Sequence, residues 1–191
     1  MTILTLGLLL FLGTHAVRIV ADGWRTRQIE RLGVRPWKAA YAAVSAAGFI
    51  LIIWGFGLAR GDAVTIWSPP LWSRHLAAVV TLPAMILIAA GYVPGSRIKA
   101  RLGHPMLAGT ALWAAAHLCA NGRGEHVLLF GAILVWATID FRSARRRDRA
   151  AGIRYAPGTA ARDGIAIGVG SAGWLLFVAF LHAWVIGVQP I

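Results

Sequence analysis

The chain has 191 residues, 58% of them hydrophobic, a mean hydropathy of +0.67, and 19 Lys and Arg against 7 Asp and Glu. The length suits one domain, and the hydropathy excludes an ordinary soluble protein. The net charge of +12 is not a nucleic-acid patch, because the cations are confined to short segments between apolar runs.

Six apolar runs lie at about 2–21, 36–59, 74–93, 103–120, 124–141 and 162–187. Each approaches the roughly 20 residues that a bilayer-spanning helix needs. The expected fold is therefore all-α, a polytopic membrane helix bundle of about six transmembrane helices in one domain. No Lys or Arg precedes Leu4, and the stretch from Thr14 to Arg18 is a poor cleavage site, so the first run is expected to be a retained helix and not a secretory signal. In the second run Ala47, Gly48 and Gly55, and in the last Gly164, Gly168 and Ala172, are expected to form small-residue packing faces. Pro83 falls in the middle of the third. Trp24, Trp37, Trp67, Trp72 and Trp184 lie near run ends, as interface anchors do, whereas Trp54, Trp113, Trp136 and Trp174 are deeper and available to line a cavity.

Orientation follows from the connections. The segments after the first, third and fifth runs carry sixteen basic residues, and the other two loops carry only Arg60, Arg74 and Arg123. The basic loops are expected in the cytoplasm, with both termini on the periplasmic face of a bacterial inner membrane.

Histidine carries what chemistry there is. The seven carboxylates fall in loops or at run ends, which argues against paired-carboxylate chemistry or a di-iron site within the membrane. The single cysteine, Cys119, excludes an intrachain disulfide and a cysteine-built zinc or iron–sulfur centre. His75 and His126 sit near run starts and read as solvated or capping residues. His15, His117 and His182 lie inside apolar runs, where an imidazole is expensive unless it meets a partner, a metal or a cofactor. Neutral imidazole is a good ligand for haem iron, and two helices of a bundle can each present one. Depth counted along the helices leaves His15–His117, His117–His182 and His104 with His15 as open pairs.

Three blocks extend this reading: L-G-L-L-L-F-L-G-T-H ending at His15, G-H-P-M-L-A-G-T-A-L-W-A-A-A-H-L-C-A-N-G from Gly103 to Gly122, and F-L-H-A-W-V-I-G-V-Q-P around His182. In this order they resemble the NnrU family of bacterial membrane proteins over nearly the whole chain. The resemblance implies a link to denitrification and nitric-oxide metabolism. The related 15-cis-zeta-carotene isomerase is a haem b protein that isomerises a polyene double bond when its iron is reduced. Through it the resemblance implies a bis-histidine haem b, with His15 as one iron ligand and His117, in the pattern W-x-x-x-H with Trp113, as the other. The implied ligands are then a polyene or nitric oxide; the lipid bilayer is the partner that the composition gives. Ala114 stands where the isomerase has a cysteine, and Cys119 lies about 200° around the helix from His117. The alternatives are a non-catalytic subunit or assembly factor of a respiratory complex and, more weakly, a membrane methyltransferase with an R-H-P block, which here reads Gly103-His104-Pro105.

Overall fold

The computed structural model describes residues 1–190. It is all-helical among them, with two isolated β-bridges and no strand. The helices are α1 (Thr2–Val20), α2 (Asp22–Leu32), α3 (Val34–Asp62), α4 (Trp72–Tyr92), α5 (Arg97–Leu102), α6 (Pro105–Ala120), α7 (Gly124–Ala150) and α8 (Ala160–Leu176), which continues as a π-helix over Phe177–Ile186. Five are long and apolar enough to cross a membrane: α1, α3, α4, α7 and α8 with its π-helical continuation. The run expected at 103–120 is α6, apolar but only 16 residues long, about 24 Å against a hydrocarbon core of about 30 Å.

Two helices lie outside the expected runs and one run extends well past its expected end, each for a local reason. The polar stretch 22–32 is a helix, opened by Asp22 in its first turn and flanked by the Arg18–Asp22 and Arg25–Asp22 contacts, both 3.8 Å. The short helix α5 is capped by Ser96, whose hydroxyl accepts from the Lys99 N–H at 3.0 Å. Finally, α7 does not stop at the arginine run. Ala and Arg are strong helix formers, and Arg147 bonds Ser143 at 2.8 Å and pairs with Asp140 at 3.6 Å, which carries the helix to Ala150.

The chain forms two compact units, one of residues 1–66 and 123–132, the other of residues 67–122 and 133–190. In the first, α1 packs along α3 through glycine, and Leu4, Leu8 and Ile52 form the core. A Cβ at Gly7 would meet the Ile52 nitrogen at 2.6 Å and one at Gly48 would meet the Phe11 nitrogen at 2.7 Å; one at Gly55 would collide with the backbone of Leu4. Without a hydrophobic effect between helices, such backbone approach is what binds them. Gly48 and Gly55 thus pack as expected, while Ala47 is exposed.

In the second unit α4 packs against both α6 and α8. Gly109 lies on Ala84 and Ile88 of α4, and Gly170 on Ile86. The small-residue face of α8 is therefore Ala166 and Gly170, both buried. Gly164 and Gly168 face open space, a quarter-turn or more from the packed stripe. Pro83 lies inside α4. Nearby, the Trp174 indole donates to the Ala78 carbonyl at 3.2 Å and the Thr81 hydroxyl at 3.1 Å, so Trp174 is a strut between helices. Trp54 is 56% exposed and does not line a cavity.

Candidate histidine sites

On α1, the His15 Nδ1 lies 2.7 Å from the Phe11 carbonyl, one turn back, and the two rings sit 4.3 Å apart at 36°. Tyr41 of α3 meets the same imidazole edge-on at 5.3 Å. On α6, the His117 Nδ1 lies 2.9 Å from the Trp113 carbonyl, again one turn back, with the rings 4.6 Å apart at 45°. Both are the same local device: an aromatic residue four positions before a histidine, with the imidazole folded back on it. A carbonyl oxygen only accepts, so Nδ1 carries the proton in each, and the lone pair of the neutral ring falls on Nε2. Histidines that ligate metals are commonly prepared in this way, the second nitrogen donating to a carbonyl that fixes the tautomer and raises the basicity of the first. His15 belongs to the first unit and His117 to the second.

His182, on the π-helix, has its Nδ1 2.7 Å from the Val188 carbonyl. Here the acceptor lies beyond the helix, past Gly187 in the left-handed conformation (φ 77°), so the bond also fastens the end of the π-helix. The aromatic turn beneath the ring that marks His15 and His117 is replaced by this terminal clasp.

His104 is engaged otherwise. It immediately precedes α6, and its Nε2 donates to Asp148 Oδ2 at 2.8 Å; the Tyr155 hydroxyl donates to the same oxygen at 2.8 Å. The Tyr155 ring lies over Gly103, where a Cβ would come within 3.0 Å of it, and Arg145 reaches the Leu102 carbonyl at 3.1 Å. Burial, together with donation to the negatively charged Asp148, raises the Tyr155 phenol above its ordinary value, with Arg145 opposing. With Nε2 committed to a carboxylate, His104 holds a polar junction together through that nitrogen. Asp148 and Tyr155 were not visible as partners in the sequence, because Asp148 is hidden in an arginine run and Tyr155 lies 51 residues from His104.

The first unit holds one more cluster. Glu125 is fully buried and accepts from Arg123 Nε at 2.8 Å, while His126 Nδ1 lies 3.4 Å from the same carboxylate oxygen. His126 stacks on Phe130 and meets Phe56 edge-on at 5.2 Å. His126 is therefore not the solvated helix-start group that its position suggested, since the loop at 63–66 folds over this end through a Gly124 N–H bond to the Val64 carbonyl at 2.9 Å. His75, in contrast, is exposed.

Among the described residues no group of three or more His, Cys, Asp or Glu is assembled for a metal ion. Ala114 is buried and Cys119 exposed, so the cysteine on α6 does not share the position of Ala114 one turn before His117. A family model described as NnrU protein matches residues 3–190. No curated protein and no solved structure matches the chain.

Proposed function

Since the chain belongs to the NnrU family, we propose that it is an inner-membrane protein that binds haem b through histidine, with His15 and His117 as the iron ligands. The reading rests on one observation above the others: both imidazoles are held by Nδ1 to the carbonyl four residues back, on an aromatic ring, so that Nδ1 carries the proton and the lone pair falls on Nε2. That is the donor chemistry axial ligation requires. Haem b, when bound, supplies a redox-active iron able to meet nitric oxide or a polyene double bond. The chain's own contribution is to fix the tautomer, to stiffen each ring against Phe11 or Trp113, and to surround the donors with apolar helix. The positive-inside rule supports a cytoplasmic His104 end, and with the short α6 counted as a sixth crossing both termini fall in the periplasm. Denitrification and nitric-oxide metabolism are the setting that the family suggests.

The test is an absorbance spectrum of the detergent-solubilised, haem-supplemented protein, oxidised and then dithionite-reduced. A Soret band that shifts on reduction and is lost or altered in both His15→Ala and His117→Ala, but kept in His182→Ala, supports the proposal. If no band forms and both variants complement a deletion strain like the parent, the histidines are interhelical packing groups and the protein is a non-catalytic membrane subunit.

A further inference from the structure

Where α4, α5 and α8 meet, the second unit has a cleft of about 420 Å³ lined by Leu87, Arg97, Ile98, Arg101, Leu102 and Asp163. Its walls are tied by hydrogen bonds: Thr159 N–H to the Gly95 carbonyl at 2.9 Å, and Ile98 N–H to the Asp163 side-chain Oδ1 at 3.1 Å. Gly158 sits so close to Ser96 and Arg97 that a side chain there would strike their backbone. The cleft is a built feature of the fold.

Three nearby cations are occupied. Lys99 Nζ caps α4 through the Gly91 carbonyl at 3.1 Å, Arg145 caps α5 through Leu102, and Arg147 pairs with Asp140. Among the described residues, Arg97 and Arg101 alone of the cleft's charges have no ion-pair or hydrogen-bond partner. They stand one turn apart on a six-residue helix, where like charges repel. Asp163, the one anion on the wall, has an oxygen committed to Ile98, and the lining keeps a net positive charge. Beside the guanidiniums, Leu87, Ile98 and Leu102 give an apolar floor next to α4 and α8, two helices long and apolar enough to cross a bilayer.

We propose that this cleft binds the phosphodiester headgroup of an anionic glycerophospholipid, with Arg97 and Arg101 on the phosphate and the proximal acyl chain over Leu87, Ile98 and Leu102. A planar, five-donor guanidinium matches phosphate oxygens, and a basic pocket beside membrane-crossing helices is where such headgroups settle. A free phosphate would satisfy the arginines but not the apolar floor.

The experiment is native mass spectrometry of the full chain, reconstituted with dioleoylphosphatidylglycerol or with dioleoylphosphatidylcholine and then stripped with detergent. The wild type is expected to retain one phosphatidylglycerol beyond the phosphatidylcholine level. In R97Q/R101Q that retention falls about thirtyfold, as removal of two basic groups near the surface implies, and it is unchanged in R142Q/R146Q, whose arginines are exposed along α7. R97K/R101K keeps part of it, which separates charge loss from misfolding. Equal retention in R97Q/R101Q and wild type, or equal loss in R142Q/R146Q, overturns the proposal. Full competition by inorganic phosphate reassigns the cleft to a soluble anion and overturns it too.

Discussion

Replacing Tyr155 by Phe isolates one hydroxyl at the His104–Asp148 junction. The ring, and with it the cover over Gly103, is retained; what disappears is the 2.8 Å bond to Asp148 Oδ2. The acceptor is a carboxylate whose side chain is 20% exposed, so water replaces the lost donor only in part. A hydrogen bond to a charged group is worth about 1.5–3 kcal/mol, and Tyr155→Phe should destabilise the second unit by that amount. Equilibrium unfolding in mixed micelles, followed by far-ultraviolet circular dichroism, measures it. The pH dependence gives a second check. The folded Tyr155 phenol is raised above its unfolded value of about 10, chiefly by burial and then by Asp148. Its contribution is therefore complete below that value and lost as pH rises through the folded one. The gap between wild type and Tyr155→Phe should stay constant from neutral pH to about 10 and close above it. A variant as stable as the parent at pH 7, or a gap that widens in alkali, would refute the assignment of the hydroxyl as a donor to Asp148.

Glycine substitutions on α8 should separate its two faces: Gly170→Ala drives a Cβ to 2.5 Å from the Ile86 Cα and should cost about 1–3 kcal/mol of overpacking. Gly168→Ala meets nothing within 4 Å and should be neutral or stabilising by about 0.5–1 kcal/mol through helix propensity; thermal unfolding of both reads the contrast, and equal effects would sink it. Arg123→Ala leaves the fully buried Glu125 without its 2.8 Å partner and should cost about 3–5 kcal/mol. Adding Glu125→Gln should recover much of that loss in the same unfolding assay, whereas simple additivity would mean the two do not act as a pair. Under the proposed haem ligation, Phe11→Leu and Trp113→Leu should release haem faster than the parent to excess apomyoglobin, because the imidazole loses the ring beneath it; release at the parent rate would show that these contacts do not steady the ligand.

The legible part of the fold was its apolar content. Runs at 2–21, 36–59 and 74–93 became α1, α3 and α4 with small shifts, since burial in hydrocarbon demands long apolar helix and leaves few alternatives. The polar helix α2 and the six-residue α5 were illegible for the converse reason. A scan for apolar runs is blind to a helix of sequence D-G-W-R-T-R-Q-I-E-R-L, whose apolar groups are only Trp24, Ile29 and Leu32. The end of α7 was misplaced because arginine was read as a boundary. In a helix it is a good former, and the nine residues past Phe141 extend α7 into the polar junction. The glycines of α8 show a finer limit: periodicity identified a small-residue stripe, but a turn-by-turn pattern does not say which of two opposite stripes faces the neighbour, and the packed one proved to be Ala166 and Gly170.

The histidines divide along the same physical line. That His15, His117 and His182 needed explanation was readable from an imidazole's cost in hydrocarbon, which depends on residue type and depth alone. Their separation was not, because it depends on the acceptor each Nδ1 finds. His104 precedes a helix and meets a carboxylate from the far end of α7; His182 meets a carbonyl beyond its own helix. His15 and His117 alone turn back onto the aromatic residue four positions earlier, a spacing that the sequence prints plainly as F-L-G-T-H and W-A-A-A-H. The signal was available, but its weight comes from the geometry. An i−4 carbonyl can hold any histidine, whereas an i−4 carbonyl bond, the same tautomer and a tilted aromatic ring occur together at both positions and restrict the rotation of each imidazole.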